Sequence, residues 1–173
     1  MGLYIKSNDL FALHELSVPE GPVVIGVEVE NEMNMGAMIR LACNFGSTQV
    51  YFAYREVPVL NRAKVNRIAH SSQKQISWEV CDYAALRALK EVLPFVAVET
   101  ATHAVDITRA TFPPRCAILV GGESWGMPEE ILQQCDMAVY IPMPGSNKSM
   151  NVSHALGAGL YEWFRQQHTK RFL

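Results

Sequence analysis

Nowhere in this sequence do apolar residues run for the roughly 20 positions that a membrane-spanning helix needs, and no basic stretch leads into an apolar core at the N-terminus. Met1-Gly2 is followed by Lys6 where a myristoylation signal wants Ser or Thr. These absences predict a soluble, cytoplasmic protein with no membrane partner. Cysteine is scarce: Cys43, Cys81, Cys116 and Cys135 form no C-x-x-C pair, and none has a histidine at finger-like spacing. That sets aside a disulfide framework and a zinc site, so no metal is expected and the thiols are predicted to be reduced and buried. Charged residues make up only 18% of the chain, with a net charge of -2, which argues against a strongly basic nucleic-acid binder. Repeats, linkers and low-complexity tracts are missing too. Residues 1–173 therefore read as one domain, with 1–21 as a short lead-in.

What is present alternates. Val23 to Val29 is rich in Val and Ile, the pattern of a strand buried on both faces of a parallel sheet. After Glu30-Asn31-Glu32-Met33, Asn34 is a plausible cap for a helix that carries Ala37, Met38, Leu41, Ala42 and Phe45 inward and stops near Gly46. Further strands are predicted at Val50 to Ala53, Ile76 to Cys81, Phe95 to Val98, Cys116 to Val120 and Ala138 to Ile141. Helices are predicted over 60–74 and over Tyr83 to Val92, and from Pro128, which suits a first helical turn. In the lead-in, Asn8 or Asp9 would cap a helix containing Leu10, Leu13 and Leu16. The pattern predicts an α/β domain with a mainly parallel sheet flanked by helices.

The stretch from 141 to 165 organises the rest. It leaves a strand, crosses a loop marked by Pro142, Pro144 and Gly145, and enters a helix capped by Ser149 or Asn151. Gly157, Ala158 and Gly159 thin that helix and predict close approach to a neighbour. In parallel sheets, ligands bind beyond the carboxyl ends of strands. Three such loops are conspicuous: 30–36, 121–126 and 143–149. Gly121-Gly-Glu-Ser-Trp-Gly126 lacks both the Gly-Lys-Ser/Thr ending of a phosphate loop and the G-x-G-x-x-G spacing. Basic residues gather locally, with Arg55, Arg62, Lys64, Arg67 and Lys74 against the single acid Glu56, and Arg165, Lys170 and Arg171 against Glu162. They read either as solvated faces or as surfaces for a phosphodiester backbone.

Taken together, Asn31-Glu-Met-Asn-Met-Gly-Ala-Met-Ile-Arg40, Leu119-Val-Gly-Gly-Glu-Ser-Trp-Gly-Met127 and Ile141-Pro-Met with Ser149-Met-Asn-Val-Ser153 resemble the three motifs of the SpoU, or TrmH-like, branch of the SPOUT RNA methyltransferases, in the same order. The resemblance covers nearly the whole chain. It implies S-adenosylmethionine as methyl donor, an RNA ribose 2'-hydroxyl as acceptor, a homodimer, and a C-terminal trefoil knot. It places the family's catalytic positions on Asn34, Arg40, Glu123, Ser149 and Asn151, and a further substrate-binding Arg on Arg165. Cofactor contacts fall on Val98, Thr100, Gly121, Ile141, Met143, Ser149 and Met150. Two departures are Glu32-Met33, where many members have Pro and a small residue, and Trp125, bulky for its place.

Methyl transfer from a sulfonium needs mainly that donor carbon and acceptor oxygen be held in near-attack geometry. Similar enzymes give the acceptor's proton to the Arg matched by Arg40. A guanidinium rarely gives up its own proton, so a phosphate clamp that also stabilises the oxyanion is an equal role. Taken singly, Arg40 reads as a snorkelling side chain, Glu123 as a cap near Pro128 and Arg165 as a C-terminal helix charge. The chain resembles minimal members that act on tRNA, including the anticodon loop, so tRNA is expected before rRNA. A catalytically silent RNA-binding dimer and a base methylase of the wider class are the alternatives.

Overall fold

The computed structural model describes residues 5–12, 20–70, 72 and 75–169. A seven-stranded sheet runs through it: β1 (Val23–Val27), β2 (Gln49–Tyr54), β3 (Ser77–Asp82), β4 (Phe95–Val98), β5 (Val105–Asp106), β6 (Ala117–Val120) and β7 (Met137–Tyr140). The spatial order is β3-β2-β1-β6-β4-β7-β5, and every neighbouring pair is parallel. The chain lays down β1, β2 and β3 outward in one direction, then crosses to build the other half. The reversal lies between β1 and β6, which pair from Val23↔Ala117 to Gly26↔Val120.

The helices are α1 (Ser7–Ala12), α2 (Glu32–Asn44), α3 (Arg62–Ala69), α4 (Tyr83–Lys90), α5 (Glu129–Leu132) and α6 (Val152–Thr169). They cover both faces, and the strands alternate between two cores accordingly. Val24, Phe52, Ile118 and Val120 pack with Met38 of α2, Val65 of α3 and Trp163 of α6. Ile25, Val27, Ala117 and Leu119 turn to the other side, against Leu86 of α4 and Ile131 of α5. Burial on both faces is why the strands read as unbroken apolar runs.

Several expectations are corrected. Helix α2 is capped by Asn31, whose side chain accepts the Met33 N–H, so Asn34 sits inside the first turn. Its fully buried residues are Met35, Gly36, Met38, Ile39 and Ala42. Leu41 and Phe45 face inward as expected but are only partly buried, packing against this core beside α6, Leu41 near Gly157 and Phe45 edge-on to Phe164 at 6.1 Å. Helix α3 occupies only the middle of 60–74. Val92 lies beyond α4 and is exposed, and Pro128 caps α5 from outside the helix. Leu13 and Leu16 lie outside the described residues, and α1 buries none of its own. The two-residue strand β5 was not expected at all. The close approach on α6 is real at Gly159, where an added Cβ would stand 2.8 Å from a Val98 methyl. Of the cysteines Cys116 is buried and the other three half-buried; burial pushes the Cys116 thiol up to about 12. Among the described residues no helix is long and apolar enough to cross a membrane, and no cluster of potential metal ligands occurs.

Candidate active site

The carboxyl ends of β1, β6, β4 and β7 open onto one region, and the loops that follow them meet there. The end of β1 is held tightly. The Tyr54 hydroxyl donates to the Val29 carbonyl at 2.6 Å, and the Glu28 N–H donates to the Ala53 carbonyl at 2.9 Å. Glu28 itself sits at φ 55, in the left-handed region that non-glycine residues rarely adopt.

Onto this anchored turn folds the loop after β6. The Glu123 carboxylate accepts the N–H groups of Glu30 (3.0 Å) and Asn31 (3.3 Å) and the Asn34 amide at 2.6 Å. Those backbone donors precede a helix, where unpaired N–H groups and the dipole favour an anion. From Glu123 the polarity runs one way. A carboxylate can only accept, so it fixes which end of the Asn34 amide faces it. The Asn34 oxygen then accepts from Asn151 Nδ2 at 3.1 Å. The Asn151 oxygen accepts the Ser153 N–H at 2.9 Å and its hydroxyl at 2.7 Å, which caps α6. Among the described residues each amide is left with one N–H that donates to no protein acceptor.

Beside this chain lies a cleft of about 240 Å³. All seven positions expected to contact the cofactor line it: Val98, Thr100, Gly121, Ile141, Met143, Ser149 and Met150. Glu123 lines it as well. Its apolar walls (Val98, Val120, Ile141, Val152) suit a purine ring. At Gly121 the turn comes so close that an added Cβ would stand 2.1 Å from the Met127 nitrogen. A slot whose wall is bare backbone fits an adenosine-bearing donor held by peptide groups rather than by charged side chains.

The other predicted residues lie elsewhere. Arg40 is exposed on α2 and has no hydrogen bond or ion pair among the described residues. Six residues of helix place it about 120° around the axis from Asn34 and about 9 Å farther along. It does not line the cleft. Arg165 is exposed on α6, where Glu162 grips its guanidinium at 2.7 and 2.8 Å and raises its affinity for its proton. The Ser149 N–H donates to Asn147 Oδ1 at 3.0 Å. Three of the basic residues are engaged within the chain, while Lys74, Lys170 and Arg171 lie outside the described residues: Lys64 pairs with Glu32 at 3.0 Å, Arg62 lies 3.9 Å over the Trp78 ring, and Arg55 pairs with Glu130. The Lys64 hydrogen bond holds the Glu32 carboxyl below its ordinary range.

Two residues of the cleft escaped the sequence reading. The Lys148 ammonium donates to the Met143 carbonyl at 2.5 Å and so closes the loop after β7 on itself. Glu99, at the end of β4, accepts the Thr100 N–H at 2.8 Å and the Met127 N–H at 2.9 Å, tying two strand ends into one wall. An acid directly after a buried strand was the only available signal, and nothing local identified Met127 as its partner. Glu99→Ala leaves two N–H groups unpaired, and binding of S-adenosylhomocysteine, followed by calorimetry, is expected to weaken about tenfold.

The SpoU rRNA methylase family signature matches residues 21–161. A tRNA (guanosine(18)-2'-O)-methyltransferase from Aquifex aeolicus is 30% identical over 152 residues, covering 86% of this chain and 71% of that protein. A 23S rRNA (guanosine-2'-O-)-methyltransferase from Nitrosomonas europaea is 34% identical over 146 residues, covering 83% of this chain but 55% of that one. Among solved structures, one concerned with 2-OH methylation of C/U34 on tRNA has a TM-score of 0.77 at 27% identity and covers 87% of this chain and 99% of that one. The SpoU methyltransferase AviRb from Streptomyces viridochromogenes, in complex with AdoMet, has a TM-score of 0.74 at 27% identity, covering 91% of this chain and 62% of that one. The chain therefore belongs to the SpoU rRNA methylase family, whose reaction moves a methyl group from S-adenosylmethionine to an RNA ribose.

Proposed function

We propose that this chain methylates the 2'-hydroxyl of a tRNA ribose, in the cytoplasm, as a homodimer with a trefoil-knotted C-terminal half. The observation that carries the reading is the one-way chain from Glu123 through Asn34 to Asn151 at the rim of a backbone-walled cleft. tRNA is favoured because the structure concerned with 2-OH methylation of C/U34 on tRNA has a TM-score of 0.77 and a tRNA (guanosine(18)-2'-O)-methyltransferase is 30% identical over 86% of this chain. A knotted path suits a sheet in which β4 lies between β6 and β7 while the loops after all three wall one cleft.

The bound donor supplies an electrophilic methyl group on a sulfonium sulfur. Everything else falls to the chain. The cleft orients the donor and excludes water. The free N–H groups of Asn34 and Asn151 hold the acceptor ribose, and Glu123 keeps both amides facing the right way. Arg40 clamps the substrate phosphate and steadies the oxyanion as the hydroxyl proton leaves to phosphate or water. Because Arg40 points away from its own Asn34, it serves the partner's site across α2. Arg165 adds a phosphate contact from α6, and Ser149 lines the donor loop.

Incubating the protein and labelled S-adenosylmethionine with total tRNA, and separately with rRNA, is expected to give 2'-O-methylated nucleosides in the tRNA digest. A methylated base would move the chain to base methylation. RNA binding without transfer would make it a silent binder.

A further inference from the structure

Gly122 and Gly126 wall two clefts, the donor cleft and a wider one of about 450 Å³ to which no role has yet been given. The second is lined by Trp125, a residue 95% exposed, whereas Trp78 and Trp163 are buried. Glu28, Glu30, Glu56 and Arg55 also line it. Held out in solvent at the tip of a turn, the indole is left almost uncovered by the described residues, and exposed aromatic surface beside a cleft marks a contact site. The polar groups are unequally engaged. Glu28 Oε1 already accepts the Tyr83 hydroxyl at 2.5 Å and the Arg55 N–H at 2.7 Å, and the Arg55 guanidinium is paired with Glu130. The carboxylates of Glu30 and Glu56 have no hydrogen-bond partner among the described residues.

We propose that this cleft reads a base of the RNA substrate, guanine by preference, with the base stacked on Trp125 and its donor edge turned to Glu30 or Glu56. The idea rests on the RNA-methylating reading above and adds the nucleotide feature recognised. Any base presents a face to an indole, so stacking supplies affinity without choice. Choice comes from the edge. Ionised carboxylates only accept, so the base must bring the hydrogens. Guanine brings N1–H and N2–H side by side, a pair that one carboxylate can take together. The same negative charges repel phosphate, which keeps the RNA backbone out of the cleft. Since the two clefts share a wall, the base read here belongs to the nucleotide whose ribose faces the donor or to its immediate neighbour.

The test compares Trp125→Ala and Trp125→Phe with the wild type in KM for RNA, kcat, RNA Kd by filter binding, and S-adenosylhomocysteine Kd by calorimetry. Trp125→Ala is expected to raise the RNA KM and Kd about tenfold or more while S-adenosylhomocysteine binding stays within about twofold, and Phe is expected to recover most of the loss. Replacing the guanines around the methylated nucleotide by inosine, one at a time, removes the N2 amine. One position is expected to raise the wild-type KM, and the same replacement to have no effect on a Glu30→Gln, Glu56→Gln double variant. Unchanged RNA affinity in Trp125→Ala, no recovery in Phe, or indifference to every inosine would overturn the proposal. If the wild type methylates no RNA, the Kd comparison still decides: weaker RNA binding by Trp125→Ala upholds the base site while removing the reaction proposed above, and equal binding removes the base site.

Discussion

Arg40→Ala is expected to lower kcat for ribose methylation about 10²- to 10³-fold, the usual loss when one charged or hydrogen-bonding group leaves a transition state. Donor affinity should stay unchanged, because Arg40 does not line the donor cleft. The sharper experiment uses its position. Arg40 is exposed and about 120° around α2 from Asn34, and the function proposed above has it serve the partner's site in a dimer. Glu123→Gln breaks the other half of the machinery, since an amide cannot accept from Glu30, Asn31 and Asn34 all at once. Each variant alone should be nearly inactive. Co-expressed in equal amounts, they should regain about a quarter of wild-type activity: half the dimers are mixed, and each mixed dimer carries one intact site of two. No recovery in isolated mixed dimers would put Arg40 in its own subunit's site or outside the reaction.

Gly121→Ala should be the most damaging small substitution in the chain. Its Cβ would stand 2.1 Å from the Met127 nitrogen and 2.2 Å from the Gly126 carbonyl carbon, and both obstacles are backbone that cannot rotate aside. The turn must open, which withdraws the donor wall and moves Glu123 off the β1 loop. Overpacking of this kind costs about 1–3 kcal/mol or more, so a melting temperature lower by about 3–10 °C is expected. Calorimetry should detect no S-adenosylhomocysteine binding. Gly145→Ala is the control, because nothing lies within 4 Å of its added Cβ. An unchanged melting temperature and donor affinity in Gly121→Ala would show that the turn is not a wall of the site.

The parts of the fold that were legible in the sequence are those dictated locally. Runs such as Val23–Val27 and Ala117–Val120 announce strands buried on both faces, and the alternation with helices announces a parallel sheet. Strand order was not legible, because the pairing of β4 with both β6 and β7 is decided by contacts far apart in the chain. β5 was invisible because two residues with one apolar side chain carry no period. The start of α2 was misjudged because Asn31 and Asn34 are equally good caps on paper. The difference lies in Glu123, which occupies the Asn34 amide and leaves the capping to Asn31. The same long reach explains the site. Motif order pointed to Asn34, Arg40, Glu123, Ser149 and Asn151 together; the structure joins Asn34, Glu123 and Asn151 in one chain of bonds, lines the cleft with Ser149 and leaves Arg40 outside both. Motif order could not point to Glu99, whose partner Met127 lies 28 residues on and offers only a backbone N–H. Nor could it show that three of the basic residues are spent on Glu32, Glu130 and the Trp78 ring.

Asn34 and Asn151 are separated by 117 positions. On the ribosome the first of them is synthesised well before its partner. Until α6 docks, the half-built pocket has neither its loop wall nor the amide that completes its polarity. A chain lacking residues 141–169 would therefore have neither the Ile141 to Ala155 side of this cleft nor the amide that donates to Asn34.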